Sequence, residues 1–344
     1  MIKSRFSKIV IGRRVLEKMG PEIRFMAPSK VCIITSKTIA EVWLQKVVEA
    51  IDWIDGVETI EIGDGERFKS IATATHIWKR LIEKEFTRKS LLVALGGGVV
   101  GDLTGFVAST YMRGVYFIQV PTTLLAQVDA GVGGKTGINL KGKNTVGTFY
   151  QPKLILIDTQ FLDTLPNLEY LNGLAEVVKY GMICDADFFR LLEENVEQIK
   201  ARDQNLLQQV VKRCVEMKVS VVESDEKEAG LRMILNFGHT FGHSIEKLTN
   251  YRIRHGFAVS IGMMMACKVA SKITGFNQTE RLERLLKSLG LPTSTKLDIG
   301  SIVQETSKDK KAWYGKTVLI LPETIGKVIV REVEQQDLLR ILRG

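Results

Sequence analysis

Five short apolar runs in the first half of the chain limit what it can fold into. They are Lys30 to Thr35, Val57 to Ile62, Ser90 to Leu95, Tyr116 to Val120 and Lys153 to Ile157. Several run on in Val, Ile and Leu without polar alternation, as strands buried on both faces do. Helix-like stretches from about residue 39 to 50 and from 70 to 85 separate the first three. This alternation predicts a mostly parallel sheet covered by helices, an α/β architecture.

From about Leu165 helical periods take over. They cover residues 168–182, 188–199, 204–222, 232–248, 256–273 and 279–289. Thr317 to Leu321 and Val328 to Glu332 read as a hairpin around residues 322–326, and a short helix over 335–342 follows. The expected organisation is an α/β domain over 1–164 and a mainly helical domain over 165–344. No low-complexity linker separates them, so they should pack tightly with the active site in the cleft between them.

The 344 residues are 45% hydrophobic, ordinary for a globular protein. No apolar run approaches the ~18–20 residues of a membrane helix. The first residues lack the apolar core of a signal peptide. Cys32, Cys184, Cys214 and Cys267 are scattered and never spaced as Cys-x-x-Cys, so reduced structural thiols are expected. These features point to the cytoplasm and not to a membrane. The net charge of +9 comes without a basic tract interleaved with aromatics, which argues against nucleic acid. Lysines near glycine-rich turns suit a small anion instead.

Gly96-Gly-Gly-Val-Val-Gly101 follows a strand and opens a helix, the context in which glycines let backbone N–H groups approach a pyrophosphate. The acidic residue expected about 20 positions later is missing, so a dinucleotide would bind in a variant manner. Ala130 to Thr136 resembles a phosphate-binding loop but fails the pattern at Asp129. It leaves a glycine-rich segment presenting Asp129, Lys135, Asn139, Lys143 and Asn144. Glu176 and Lys179 share a helical face, and by spacing alone an exposed i, i+3 salt bridge is the simplest reading.

Leu231 to Glu246 is the most suggestive stretch. Read as one helix, it places Arg232, Asn236, His239, His243 and Glu246 in a single stripe. Gly238 and Gly242 inside it imply another backbone or a ligand close by. Two histidines at i, i+4 suggest a metal, and a glutamate would complete a catalytic zinc set.

Taken together, Gly96 to Phe106, Tyr111 to Gly114, Pro121 to Asp129, Gly133-Gly-Lys135, Lys143-Asn144, Ala175 to Lys179, Leu235 to His243 and His255-Gly256 resemble the 3-dehydroquinate synthase family. The resemblance runs over roughly residues 60–320. It implies a Rossmann-like NAD-binding domain, a helical metal- and substrate-binding domain, and a homodimer. It implies a lyase of the shikimate pathway, using NAD and Zn2+ (or Co2+). The substrate is 3-deoxy-D-arabino-heptulosonate 7-phosphate and the products are 3-dehydroquinate and phosphate. Transient oxidation, phosphate elimination, reduction and aldol closure make up the reaction.

By position, the resemblance implies Glu176, His239 and His255 as metal ligands, so the i, i+4 histidines are not a ligand pair. Asp129, Lys135, Lys179, Lys218, Arg232, Asn236, His243, Asn144 and Lys310 would face substrate, with Lys311 a rival for Lys310. Arg113 would reach a neighbouring subunit's site. NAD would lie along Asp64, Gly65, Glu66 and Lys69, along Gly98, Val99, Val100, Gly101 and Asp102, and along Thr122 and Thr123. Lys135, Lys143, Phe161, Leu162, Asp163 and Thr164 would lie near it.

One departure stands out. The family typically has glutamate where this chain has Phe257, two residues after His255. A metal-bound histidine usually needs an acceptor for its other N–H. Either another group serves His255, or metal binding is altered, or the glutamate is remote from the metal. The alternatives in function are another sugar-phosphate cyclase and, less favoured, a metal-dependent alcohol dehydrogenase of related fold.

Overall fold

The computed structural model describes residues 2–54, 56–228, 230–306 and 316–344. Lys310 and Lys311 lie outside the described residues. The chain forms two compact units. The first takes residues 1–165 together with 207–223, and the second takes 166–206 and 224–344. The chain therefore returns once to the first unit, a return that the expected division at 164/165 does not contain.

In the first unit the strands are β1 (Ile2–Lys3), β2 (Lys8–Gly12), β3 (Val31–Ser36), β4 (Glu58–Ile62), β5 (Leu91–Gly96), β6 (Tyr116–Pro121), β7 (Lys135–Ile138), β8 (Val146–Phe149) and β9 (Leu154–Asp158). Among the described residues one sheet has the order β1-β2-β9-β6-β5-β3-β4. All of its pairings are parallel except the antiparallel edge pair β1–β2. The five expected runs are all strands of it. β3, β5 and β9 are buried at every residue, which is why they read as continuous apolar runs. Ile34, Leu92 and Leu103 pack on one face, and Ile33, Val93 and Leu156 on the other. β7 and β8 pair separately as an antiparallel hairpin.

The second unit is built on helices Asn167–Cys184, His239–Leu248 and His255–Ile273. The hairpin Lys316–Thr324 with Lys327–Glu334 packs against them, and the final helix is Gln335–Arg343. Helix His255–Ile273 is long and apolar enough to cross a membrane, contrary to the sequence reading. However, 67% of its apolar window is buried inside the unit, as in a core helix.

The stretch expected as one helix is two. A tight turn, Leu231–Asn236, ends before Gly238, whose φ of 78° is left-handed. A Cβ on Gly238 would lie 2.9 Å from both Met263 N and Val259 O. The other backbone that the glycines implied is thus helix His255–Ile273. That helix is fixed at its start by Gly256, where a Cβ would meet Asn172 O at 1.9 Å. Gly256 N–H also donates to Asn172 Oδ1 at 2.7 Å. The result sets His255 one residue from the helix that carries Glu176.

Gly256→Ala should therefore cost about 1–3 kcal/mol, the usual range for overpacking a close contact. Denaturant unfolding measures it, and a variant as stable as wild type would refute the close approach.

Candidate active site

The second unit gathers a carboxylate and two imidazoles. Helix Asn167–Cys184 brings Glu176, helix His239–Leu248 brings His239 at its first position, and helix His255–Ile273 brings His255 at its own first position. His239 Nε2 and His255 Nε2 each lie 3.4 Å from the same atom, Glu176 Oε1. The donor atoms of the three residues all lie within 4.8 Å of one another. Lys179 Nζ pairs with the other oxygen, Oε2.

The exposed salt bridge expected for Glu176 and Lys179 is therefore wrong. Their side chains are 0% and 1% exposed. Residues 170–183 are almost all buried, because this helix is packed on all sides. A charged pair there is strongly desolvated and survives only with good geometry and further partners.

The remaining ring nitrogens are also held. His239 Nδ1 lies 3.1 Å from Phe237 O, and His255 Nδ1 lies 3.2 Å from Glu246 Oε2. His243 sits beside them, its ring 5.4 Å from that of His239 and 6.0 Å from that of His255. Arg232 is buried, with its guanidinium donating to Glu226 O. Asn236 Nδ2 donates to Glu228 Oε1 at 2.7 Å. Sequence reasoning had put Glu246 on the stripe without a role and had missed Glu226, Glu228 and Asn172. Seven residues separate Glu246 from His239, two helical turns, and that spacing was the available signal.

The first unit gathers a different set. The strand register places Gly96 opposite Pro121 and Gly12 opposite Asp158, so the carboxyl ends share one edge of the sheet. Asp64 to Lys69 follow β4, Gly98 to Asp102 follow β5, Thr122 and Thr123 follow β6, and Phe161 to Thr164 follow β9. Lys69 Nζ donates to Asp102 Oδ2 at 2.5 Å and also to Asn144 Oδ1. Burial raises the Asp102 carboxyl, and Lys69 opposes that rise. Lys218 Nζ donates to Asp129 Oδ1 at 2.8 Å. Lys218 reaches Asp129 because residues 207–223 belong to this unit. Lys135 opens β7, and Lys143 sits in the turn before β8. Gly65 and Glu66 lead into the short turn Glu66–Phe68.

Some expected residues lie in the packed interior. Phe161 and Leu162 are buried, and Phe161 meets Trp43 edge-on at 4.8 Å. Thr164 Oγ1 accepts from Trp43 Nε1, while Asp163 pairs with Arg13. Arg113 is exposed on a left-handed turn, with φ of 65°.

Residues 59–172 match the model described as 3-dehydroquinate synthase N-terminal, and residues 173–312 match 3-dehydroquinate synthase C-terminal. The chain belongs to the 3-dehydroquinate synthase family. A protein named 3-dehydroquinate synthase from Pyrococcus abyssi is 47% identical over 329 residues, 95% of this chain and 96% of its own length. One from Thermococcus kodakarensis is 50% identical over 330 residues, 96% and 92% of the two chains. Among solved structures, a 2-deoxy-scyllo-inosose synthase complexed with carbaglucose-6-phosphate, NAD+ and Co2+ has a TM-score of 0.90 at 26% identity, covering 99% of each chain. The 2-epi-5-epi-valiolone synthase of Streptomyces hygroscopicus, with NAD+ and Zn2+ bound, has a TM-score of 0.88 at 28% identity, covering 100% of this chain and 97% of its own.

The residues fit both cofactors of such family relatives. Two imidazoles and one carboxylate are a catalytic zinc donor set that leaves a coordination position open. For NAD, helix Gly98–Thr110 has Gly97 at its cap and no capping side chain, so its first N–H groups are available to a phosphate. Thr122 Oγ1 is buried without a hydrogen-bond partner among the described residues. The four cysteines are free, and burial pushes the Cys32 thiol up to about 12 and that of Cys184 to about 11, which makes both inert.

Protonation separates the two histidines. Burial, with Lys179 assisting, lowers His239 to about 3, so it is a neutral donor. Burial also opposes charge on His255, but its hydrogen bonds to Glu176 and Glu246 outweigh that and raise it to about 9. Metal-free protein thus carries a proton on His255 at neutral pH, and a cation must displace it. Zinc uptake near pH 7 should release about one proton, and apparent affinity should rise about tenfold per pH unit up to about pH 9. Calorimetric titration in buffers of different protonation enthalpy reads both. An affinity that stays flat over that window would contradict the assignment.

Proposed function

We propose that the protein catalyses its family's reaction, turning 3-deoxy-D-arabino-heptulosonate 7-phosphate into 3-dehydroquinate and phosphate. The observation that carries this is the pair of imidazole nitrogens placed at equal distance from one buried glutamate oxygen, in a chain about half identical to named synthases. It acts as a carbon–oxygen lyase on a phosphate ester. When bound, NAD supplies a hydride acceptor that is regenerated in each turnover, and the metal supplies Lewis acidity.

The chain's own groups bind and orient the substrate. Lys179 and Arg232 present cations from the second unit, suited to a carboxylate and a phosphate. In the first unit Lys135, Lys143 and Lys218 are cations suited to a phosphate, and Asp129 fixes Lys218. His243 stands next to the metal-binding imidazoles, where Nδ1 or Nε2 can pass a proton to the leaving phosphate. Asn144 and Asn236 add polar anchors, and Lys310 completes the substrate set. Residues along the carboxyl edge of the sheet, from Asp64 through Gly98 to Thr123, would hold the nucleotide, as that edge holds ligands in doubly wound folds.

The same reading carries a cytoplasmic homodimer. Arg113 is exposed beside Met112, which is 45% exposed, and Tyr116, which is 50% exposed, a surface suited to reaching a second copy. The likeness to NADH-dependent butanol dehydrogenase of Thermotoga maritima, at 17% identity and a TM-score of 0.65, extends to the fold alone.

Phosphate release from the heptulosonate phosphate should require metal and proceed at constant absorbance at 340 nm. Chelator should abolish it, and His239→Ala should lower kcat by at least about 10^2-fold with loss of bound metal. Steady NADH accumulation would instead mark a dehydrogenase, and undiminished turnover of metal-stripped His239→Ala would refute the ligand assignment.

A further inference from the structure

The two imidazoles of the Glu176 cluster are anchored from behind by different means. His239 uses a main-chain carbonyl two residues earlier, Phe237 O. His255 uses a side chain, Glu246 Oε2, at 3.2 Å. Glu246 is only 3% exposed. A carboxylate so buried is costly to keep unless it is paired and used. Its helix also carries His239, so one rigid element presents one ligand and grips the other. Phe257, the side chain two residues beyond His255, has no polar atom to offer.

We propose that Glu246 is a positioning residue for the metal site: its carboxylate holds Nδ1–H of His255 and thereby leaves Nε2 as the donor facing Glu176 Oε1. This inference rests on the metal reading of the Glu176 cluster. The two ring nitrogens project away from each other, so the carboxylate that grips Nδ1 lies off the metal side. The hydrogen bond sets both the tautomer and the ring angle, and it makes the donor nitrogen more basic. It supplies from a neighbouring helix the acceptor that the chain lacks at position 257. His243, Glu246 and His255 also bring ligand atoms within 4.8 Å of one another. A metal there would have to take Nδ1 of His255 and would compete with the positioning role.

Zinc affinity measured by chelator competition, with bound zinc counted per chain, tests this on wild type, Glu246→Met, Glu246→Gln, His255→Ala and the double variant Glu246→Met/His255→Ala. Met fills the glutamate's space without an acceptor, and Gln restores an acceptor oxygen without charge. Wild type should bind about one zinc. Glu246→Met should weaken binding about 10–100-fold and shift the visible bands of the Co2+ form, and Glu246→Gln should recover much of the loss. In the His255→Ala background Glu246→Met should cost nothing further. Equal affinity in Glu246→Met and wild type, additive losses in the double variant, or a second zinc that Glu246→Met removes would each overturn the role of Glu246. If Glu246→Met fails to fold, Glu246→Gln carries the test: its neutral acceptor leaves the donor nitrogen less basic, so it should still weaken zinc binding several-fold and shift the Co2+ bands, and affinity and spectrum equal to wild type would overturn the role. Failure of wild type to bind zinc would sink the metal reading itself, a separate result.

Discussion

A buried carboxylate governs the second unit. Glu176 is fully enclosed, and an isolated carboxylate in that position would cost several kcal/mol and take up a proton. Lys179 meets one of its oxygens and two imidazole nitrogens meet the other, and these partners offset that cost. Those partners come from three helices, so the electrostatic demand becomes a packing demand. The helices must approach closely at the residues that carry the ligands. Gly238 and Gly256 permit that approach, since any larger residue would strike backbone within 3 Å. Site and core are thus one arrangement here, and stability and metal binding are coupled.

In the first unit the constraint is the direction of the strands. Parallel pairing sends every loop that follows β4, β5, β6 and β9 to the same edge. Residues far apart in sequence are then drawn together by single contacts. Lys69, after β4, bridges Asp102 on the helix after β5 and Asn144 near β8. Asn139 adds a second tie, donating to Glu66 Oε1 at 2.9 Å. A surface made in this way is polar and backbone-rich but anchored on buried strands, which suits a ligand that must be held along its length.

The parts legible in the sequence were those with a strong period. Fully buried strands such as β3 and β5 announce themselves by unbroken apolar runs. The hairpin of β7 and β8 did not. Its sequence is rich in glycine and polar residues, and it carries little apolar signal although β7 is buried beyond Lys135. The break at Gly238 was hidden because a left-handed glycine and a tolerated helical glycine look the same in one dimension. Residues 207–223 read correctly as helix, but no periodicity says which unit a helix will join, so Lys218 was not paired with Asp129 from spacing. Glu246 was legible as a member of a stripe but not as the acceptor of a histidine nine residues later. That contact depends on the loop that turns the chain back.

The charge of the cluster links these points to the substrate. Without metal, the negative charges of Glu176 and Glu246 are matched by Lys179 and by the proton on His255. The cluster is then close to neutral, and a buried neutral cluster is a stable arrangement. A divalent cation that displaces the His255 proton leaves it with one net positive charge. Low dielectric around the buried groups strengthens the pull of that charge on any anion nearby. Glu246 is central to this balance. Its carboxylate is one of the two that favour the proton on His255, so its removal takes away a negative charge and the support of that proton together. Glu246 thus offsets one positive charge in either state of the cluster, which is what a buried carboxylate beside His255 can do.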